Sequence, residues 1–204
     1  DSAKDQAAVA GLKPASSMLI WSPHHVSLRG GEAQAVRIMA HVPADLPAGE
    51  YRSHIFIVSN PGQQPELGSE SANDKAFSTT ITARFGISLP VIVRVGETTL
   101  SVALADLAKG KADGIDTITL TVNRSGTRSA YGDLFVYAPG RKAPVAQVLG
   151  LGVYPEIDHR RVRLNVDPTA APALLASGAK LTAVYVDDDA NPGKELARQE
   201  FVVP

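Results

Sequence analysis

Residues 84–96 read RFGISLPVIVRVG, with apolar side chains at Phe85, Ile87, Leu89, Val91, Val93 and Val95. Between them fall Arg84, Gly86, Ser88, Pro90 and Arg94, with Ile92 the one exception. A period of two marks a β-strand, because successive side chains point to opposite faces of the pleat. Similar runs, β-branched, aromatic or alternating and bounded by Gly, Pro, Asn or Asp, cover 17–28, 33–42, 49–60 and 79–95. A second series covers 99–108, 116–126, 131–140, 145–155, 159–167, 179–189 and 194–204. No intervening segment has the length and period of a full helix, and DPTAAPALLASGAK at 167–180 suits only a helical turn. Short strands at this spacing predict an all-β chain of antiparallel sandwiches rather than βαβ units.

The two series meet at the polar GETT that follows the long strand, which puts a domain boundary near Gly96 and predicts two domains, 1–96 and 97–204. An immunoglobulin-like sandwich takes about seven strands. The second series supplies that number, whereas the first supplies four after a tail with no strand signal. The first domain is therefore expected to lack its N-terminal strands in this chain, since four alternating strands would leave an apolar sheet face uncovered. The polar, Gly-, Pro- and Ser-rich stretch 61–78 lies between two strands and reads as a long functional or mobile loop. Pro90 has no N–H to give a ladder, so its strand is expected at an edge or a bulge.

Composition changes this picture mainly by exclusion. With 204 residues, 20 basic and 21 acidic, the formal charge is −1, which gives no general pull toward nucleic acid or anionic lipid. Cysteine is absent, which removes thiol nucleophiles, disulfides and thiolate metal sites. No apolar run approaches the roughly 20 residues of a membrane-spanning helix, so no membrane insertion is expected. The opening DSAKDQAAVAGLKPASS is not read as a signal peptide, having acidic residues at its start and no continuous apolar segment.

Candidate chemistry is sparse. His24 and His25 are adjacent, so on a strand they point opposite ways and cannot share a metal. VDDDANPGKE (186–195) lacks the ligand spacing of a calcium loop and reads as a hairpin turn. GLGVYP (150–155) carries two glycines but no third and no following helix, so it reads as a strand or bulge. In HRRVRL (159–164) the basic residues form a solvated face, with Val162 and Leu164 turned inward. Glu156 and Asp158 are the only pair considered for glycoside chemistry, and nothing supplies their cleft. No nucleophile-elbow, zinc-protease or phosphate-loop motif is present. No enzyme activity and no cofactor are expected.

The stretch SPHHVSLRGGEAQAVRIMAHVPADLPAGEYRSHIFI, then ISLPVIVRVG, YGDLFVYAPG and VLGLGVYPEIDHRRVRL, resembles the periplasmic pilus-assembly chaperones of the PapD type, in a divergent branch. The resemblance covers most of 17–204, with its segments in the family's order. It implies two immunoglobulin-like β-sandwich domains, a periplasmic location and pilin-like subunits as partners. It also implies donor-strand complementation: an edge strand of the chaperone completes a subunit that lacks one strand, supplying main-chain hydrogen bonds and apolar side chains. By the resemblance the subunit-binding residues are Thr79, Ile81, Ala83 and Phe85, while Ile87, Leu89, Val91 and Val93 build the chaperone's own core. The family anchors the subunit's terminal carboxylate with an Arg and a Lys. Ser88 stands at the place of that Lys, and Arg84 and Arg94, on the same face, are the candidate substitutes. Self-dimerisation through the same edge is a second way to cover it. The alternative reading is a secreted adhesive or carbohydrate-binding β-sandwich with its ligand at loops. Against that stands the placement of Trp21, Tyr51, Tyr137 and Tyr185 within expected strands.

Overall fold

The computed structural model describes residues 11–60, 84–170 and 172–203. Eleven strands, β1 Leu19–Ser22, β2 Arg37–Ala40, β3 Gly49–Val58, β4 Gly86–Val95, β5 Leu100–Ala112, β6 Ile115–Gly126, β7 Ala130–Tyr137, β8 Ala146–Val153, β9 His159–Asn165, β10 Lys180–Asp187 and β11 Glu195–Val202, form an all-β structure. Among the described residues the only helical pieces are two single 3₁₀ turns, Ser16–Met18 and Pro172–Leu175, the second inside the predicted helical turn. Every named pairing between strands is antiparallel.

After Gly96 the strands make a three-stranded sheet, β5-β6-β9, and a four-stranded sheet in the order β11-β10-β7-β8. Strict alternation turns Ile118, Leu120 and Val122 of β6, Val162 and Leu164 of β9, Leu134 and Val136 of β7, and Leu181, Ala183 and Tyr185 of β10 into one shared buried core. Each large side chain so buried is worth about 1.5–3 kcal/mol. The sheets are thus held face to face in the manner of a β-sandwich. The Tyr185 hydroxyl lies in this core and donates to the Leu151 carbonyl at 2.6 Å, and burial pushes its pKa above the ordinary tyrosine value. The expected bulge at GLGVYP is present: the β7–β8 register shifts between Gly132 and Leu134, and Gly150 sits opposite the shift at φ 63°. At Gly132 the backbone of β10 comes so close that a Cβ would lie 1.8 Å from the Val186 carbonyl oxygen.

Before Gly96 the sheets are small. β1 pairs only with β2, and β3 only with β4. Ala15, Met18, Leu19 and Tyr51 are buried, with Leu46, Val91, Val93 and Val95 packed partly against them. This cluster occupies the end of the β3–β4 hairpin nearest Gly49 and Val95; no second sheet covers the other end among the described residues. Two expectations change accordingly. The strands foreseen at 17–28 and 33–42 shrink to four residues each, and His24 and His25 fall beyond β1, where His24 meets the Trp21 ring edge-on at 5.3 Å. Ile87 and Leu89, expected in the core, are 63% and 45% exposed; only Val91 and Val93 pack inward. The alternation was read correctly, but nothing among the described residues lies over that stretch of the face.

Candidate functional site

The exposed end of the β3–β4 hairpin concentrates apolar surface. Phe56, Ile57 and Val58 of β3, Ile87 and Leu89 of β4, and Phe85 just before β4 all stand in solvent, Phe85 being 76% exposed. After Gly96 the only large apolar side chains exposed among the described residues are Ile115, Leu149, Ile157 and Val202, scattered along the sandwich. Monomers seldom leave a contiguous apolar patch uncovered without a use for it. Phe56 lies over Gly86, where an added Cβ would meet its ring at 2.6 Å, so the glycine makes room for the aromatic ring.

Main-chain direction along this hairpin can be read residue by residue. The Phe85 carbonyl accepts from the Ser59 N–H at 2.7 Å, and the register from Val58↔Gly86 to Gly49↔Val95 runs without a shift. Odd-numbered residues therefore turn their N–H and C=O toward the partner strand, and even-numbered ones turn them outward. The outer edge of β3 follows the same parity: Arg52 N–H donates to Lys13 at 2.8 Å, its carbonyl accepts from Ala15 at 3.2 Å, and Glu50 N–H donates to Thr127 at 3.2 Å. On β4 the outward positions are Gly86, Ser88, Pro90, Ile92 and Arg94, and no described residue bonds to their main chain. β4 is thus an edge strand among the described residues, as Pro90 predicted.

The base of the hairpin is locked by charge. Glu50 of β3, its side chain fully buried, accepts with Oε2 from the Ser129 N–H at 3.0 Å, the Ser129 hydroxyl at 2.8 Å and Arg94 Nε at 3.2 Å. Arg94 also grips Asp189 with both terminal nitrogens, and the hydrogen bond to Asp189 is the main reason its pKa rises further. Arg52 donates to Glu156 at 2.5 Å and lies 4.0 Å above the Tyr154 ring. Arg128 stands 3.8 Å from both Asp187 and Asp189. Asp187 in turn accepts from the backbone of Asp189 at 3.0 Å and Asn191 at 3.1 Å, which shapes the β10–β11 hairpin turn foreseen at 186–195. Beneath this cluster Arg124 donates to the carbonyls of Gly126, Arg128, Ile157 and Pro155, and burial lowers its pKa. Two turns and a loop of the sandwich thereby clamp one end of the hairpin. Glu50 Oε1 and Arg52 Nε, 3.9 Å apart, are the loosest point, each buried without a hydrogen-bond partner.

The candidate residues fall into two groups. Phe85, Ser88 and Arg84 lie together at the exposed end, with Ser88 opposite Phe56 and both Arg84 and Ser88 solvent-facing. Thr79, Ile81 and Ala83 lie outside the described residues. Arg94, a candidate carboxylate anchor, is committed to Glu50 and Asp189 at the opposite end of β4. Glu156, weighed for glycoside chemistry, is held by Arg52, while Asp158 is exposed and bonded to His159 at 2.6 Å, which keeps its carboxyl below the usual range. Val162 and Leu164 are buried as expected. The charged clamp escaped the sequence reading; Glu50 and Arg94, 44 residues apart, meet only through the β3–β4 register. Among the described residues no group of three His, Asp or Glu side chains is placed to hold a metal ion. No helix among them is long and apolar enough to cross a membrane. Comparison with family models, curated proteins and solved structures returns no match.

Proposed function

We propose that this protein is a periplasmic assembly chaperone for pilin-like subunits, built of two immunoglobulin-like domains, 1–96 and 97–204, that lends the edge of β4 to a subunit lacking a strand. One observation carries the reading: among the described residues β4 is an edge strand whose outward main chain is unpaired, and Phe85 just before it, with Ile87 and Leu89 on it, are alternating and exposed. A partner with an incomplete β-sandwich needs both features, main-chain donors and acceptors for its open edge and apolar side chains for its groove. Covering the three side chains would contribute about 1.5–3 kcal/mol each, before the cost of association. The clamp at Glu50 and Arg94 favours the same role, because a rigid base loses less entropy on binding than a mobile hairpin does. The periplasmic location and the class of client rest on the family resemblance.

Co-expression with pilin-like subunits from the same genome, followed by tag purification, tests this. A subunit should co-purify with the parent chain and be lost with Phe85→Asp and Ile87→Asp, both solvent-exposed changes that leave the fold intact. Equal recovery with the parent and both variants overturns the edge mechanism. A groove of about 620 Å³ over β1 and β2, lined by Ile20, Trp21, Pro23, Val36 and Met39, supports the second reading, an adhesive or carbohydrate-binding protein. Quenching or shift of Trp21 fluorescence by an oligosaccharide panel, unchanged in Ile87→Asp, would favour it.

A further inference from the structure

The edge of β4, unpaired among the described residues, is not uniform. Gly86 and Ser88 each offer an outward N–H and C=O, then Pro90 offers only a C=O, and Ile92 and Arg94 again offer both. The parity is what matters: had Pro90 been at an odd position, its missing donor would have faced β3 and the outer edge would have been continuous. Instead the gap falls on the outward side, and the pyrrolidine ring occupies the space where an incoming carbonyl would approach. Beyond the gap lie Ile92 and the Glu50-bound Arg94.

We infer that Pro90 closes the C-terminal half of the β4 edge, so that an added strand pairs over Gly86 and Ser88 and ends before Ile92. The inference rests on the proposed reading of β4 as a strand-accepting edge and names the residue that sets the length and end of the partner strand. It also gives the chain a guard against its own copies. Two unblocked β4 edges would pair along their whole length, the route by which exposed edges aggregate. With Pro90 in place, only the short segment before it is open.

A second copy of the chain is itself the probe, so the test needs no client. Sedimentation velocity over a concentration series compares the parent with Pro90→Ala and Pro90→Val, the second chosen as a residue at home in strands. Circular dichroism and Trp21 emission check that each variant is folded. Restoring the donor in both paired copies should tighten self-association about thirtyfold, the effect of two recovered main-chain bonds of about 1 kcal/mol each. Amide hydrogen exchange then locates the pairing. In the variants Ile92 and Arg94 should gain protection as concentration rises, whereas in the parent any such gain stays at Gly86 and Ser88. Unchanged self-association in both folded variants overturns the inference. So does concentration-dependent protection of Ile92 and Arg94 in the parent. If Pro90 substitution opens the edge while no subunit co-purifies with the parent, the edge rule stands and the client class is wrong.

Discussion

Replacing Glu50 with Gln keeps the volume of the side chain and removes its charge, which makes it the sharpest probe of the clamp. The buried carboxylate accepts three hydrogen bonds on Oε2, two from Ser129 and one from Arg94. A glutamine oxygen in that place still accepts from Ser129, so those two bonds weaken rather than vanish. Its amide, however, then takes the position of Oε1 and points a donor at Arg52 Nε, itself a donor, 3.9 Å from that atom. Arg94 and Arg52 keep Asp189 and Glu156 as counter-ions, which limits the damage. Removing one partner of a fully exposed charge pair costs little, and of a fully buried one about 3–5 kcal/mol. With both arginines still partly compensated, a loss of about 2–3 kcal/mol is expected. Urea unfolding followed at Trp21 isolates the effect, because the only tryptophan lies in β1, within the half that the clamp holds. Arg198→Ala, which breaks an exposed pair with Glu195, serves as control and should cost at most about 0.5 kcal/mol. A Glu50→Gln midpoint no lower than that of the control would refute the clamp. A double-mutant cycle with Arg94→Ala showing no coupling would do the same, since residues in one network should couple by about 0.5–3 kcal/mol.

Gly132→Ala places a Cβ 1.8 Å from the Val186 carbonyl oxygen, a clash with backbone that no rotamer relieves; a loss of about 3 kcal/mol or failure to fold is expected, read by thermal unfolding against Gly30→Ala, where a Cβ meets open space. Asp167 accepts from the N–H and hydroxyl of Thr169, both at 2.8 Å, and pairs with Arg141, and these contacts, the Thr169 N–H first, hold its carboxyl below the usual range. A carboxyl depressed in the folded state stabilises above its unfolded pKa of about 3.9 and loses that stabilisation as pH falls. Asp167→Asn should therefore be less stable than the parent near neutrality and approach it as pH drops below about 4, and a gap that widens on acidification would overturn the assignment.

What the sequence disclosed and what it withheld divide along a physical line. A period of two reports which side chains share a face, and so the succession of strands along the chain after Gly96, the inward turn of Val162 and Leu164, and the face shared by Phe85, Ile87 and Leu89 were all legible. Local chemistry marked the bulge at Gly150, the turn after Asp187 and the edge position of Pro90. The clamp was not legible, because Glu50, Ser129 and Asp189 come from segments far apart in the chain and no local pattern announces their meeting. Nor does alternation say whether a face is covered. Ile87 and Leu89 obey the pattern of a core strand, yet nothing among the described residues lies over them. That failure bears on function more than the successes do. A strand written like a core strand that stands at an edge among the described residues already has the side chains that a sandwich interior demands. The clamp holds one end of that strand, and Pro90 leaves a missing donor along its outward edge. On the proposed reading, binding by strand addition would be folding completed between two chains, driven by the same burial and ladder hydrogen bonds that build the sandwich after Gly96.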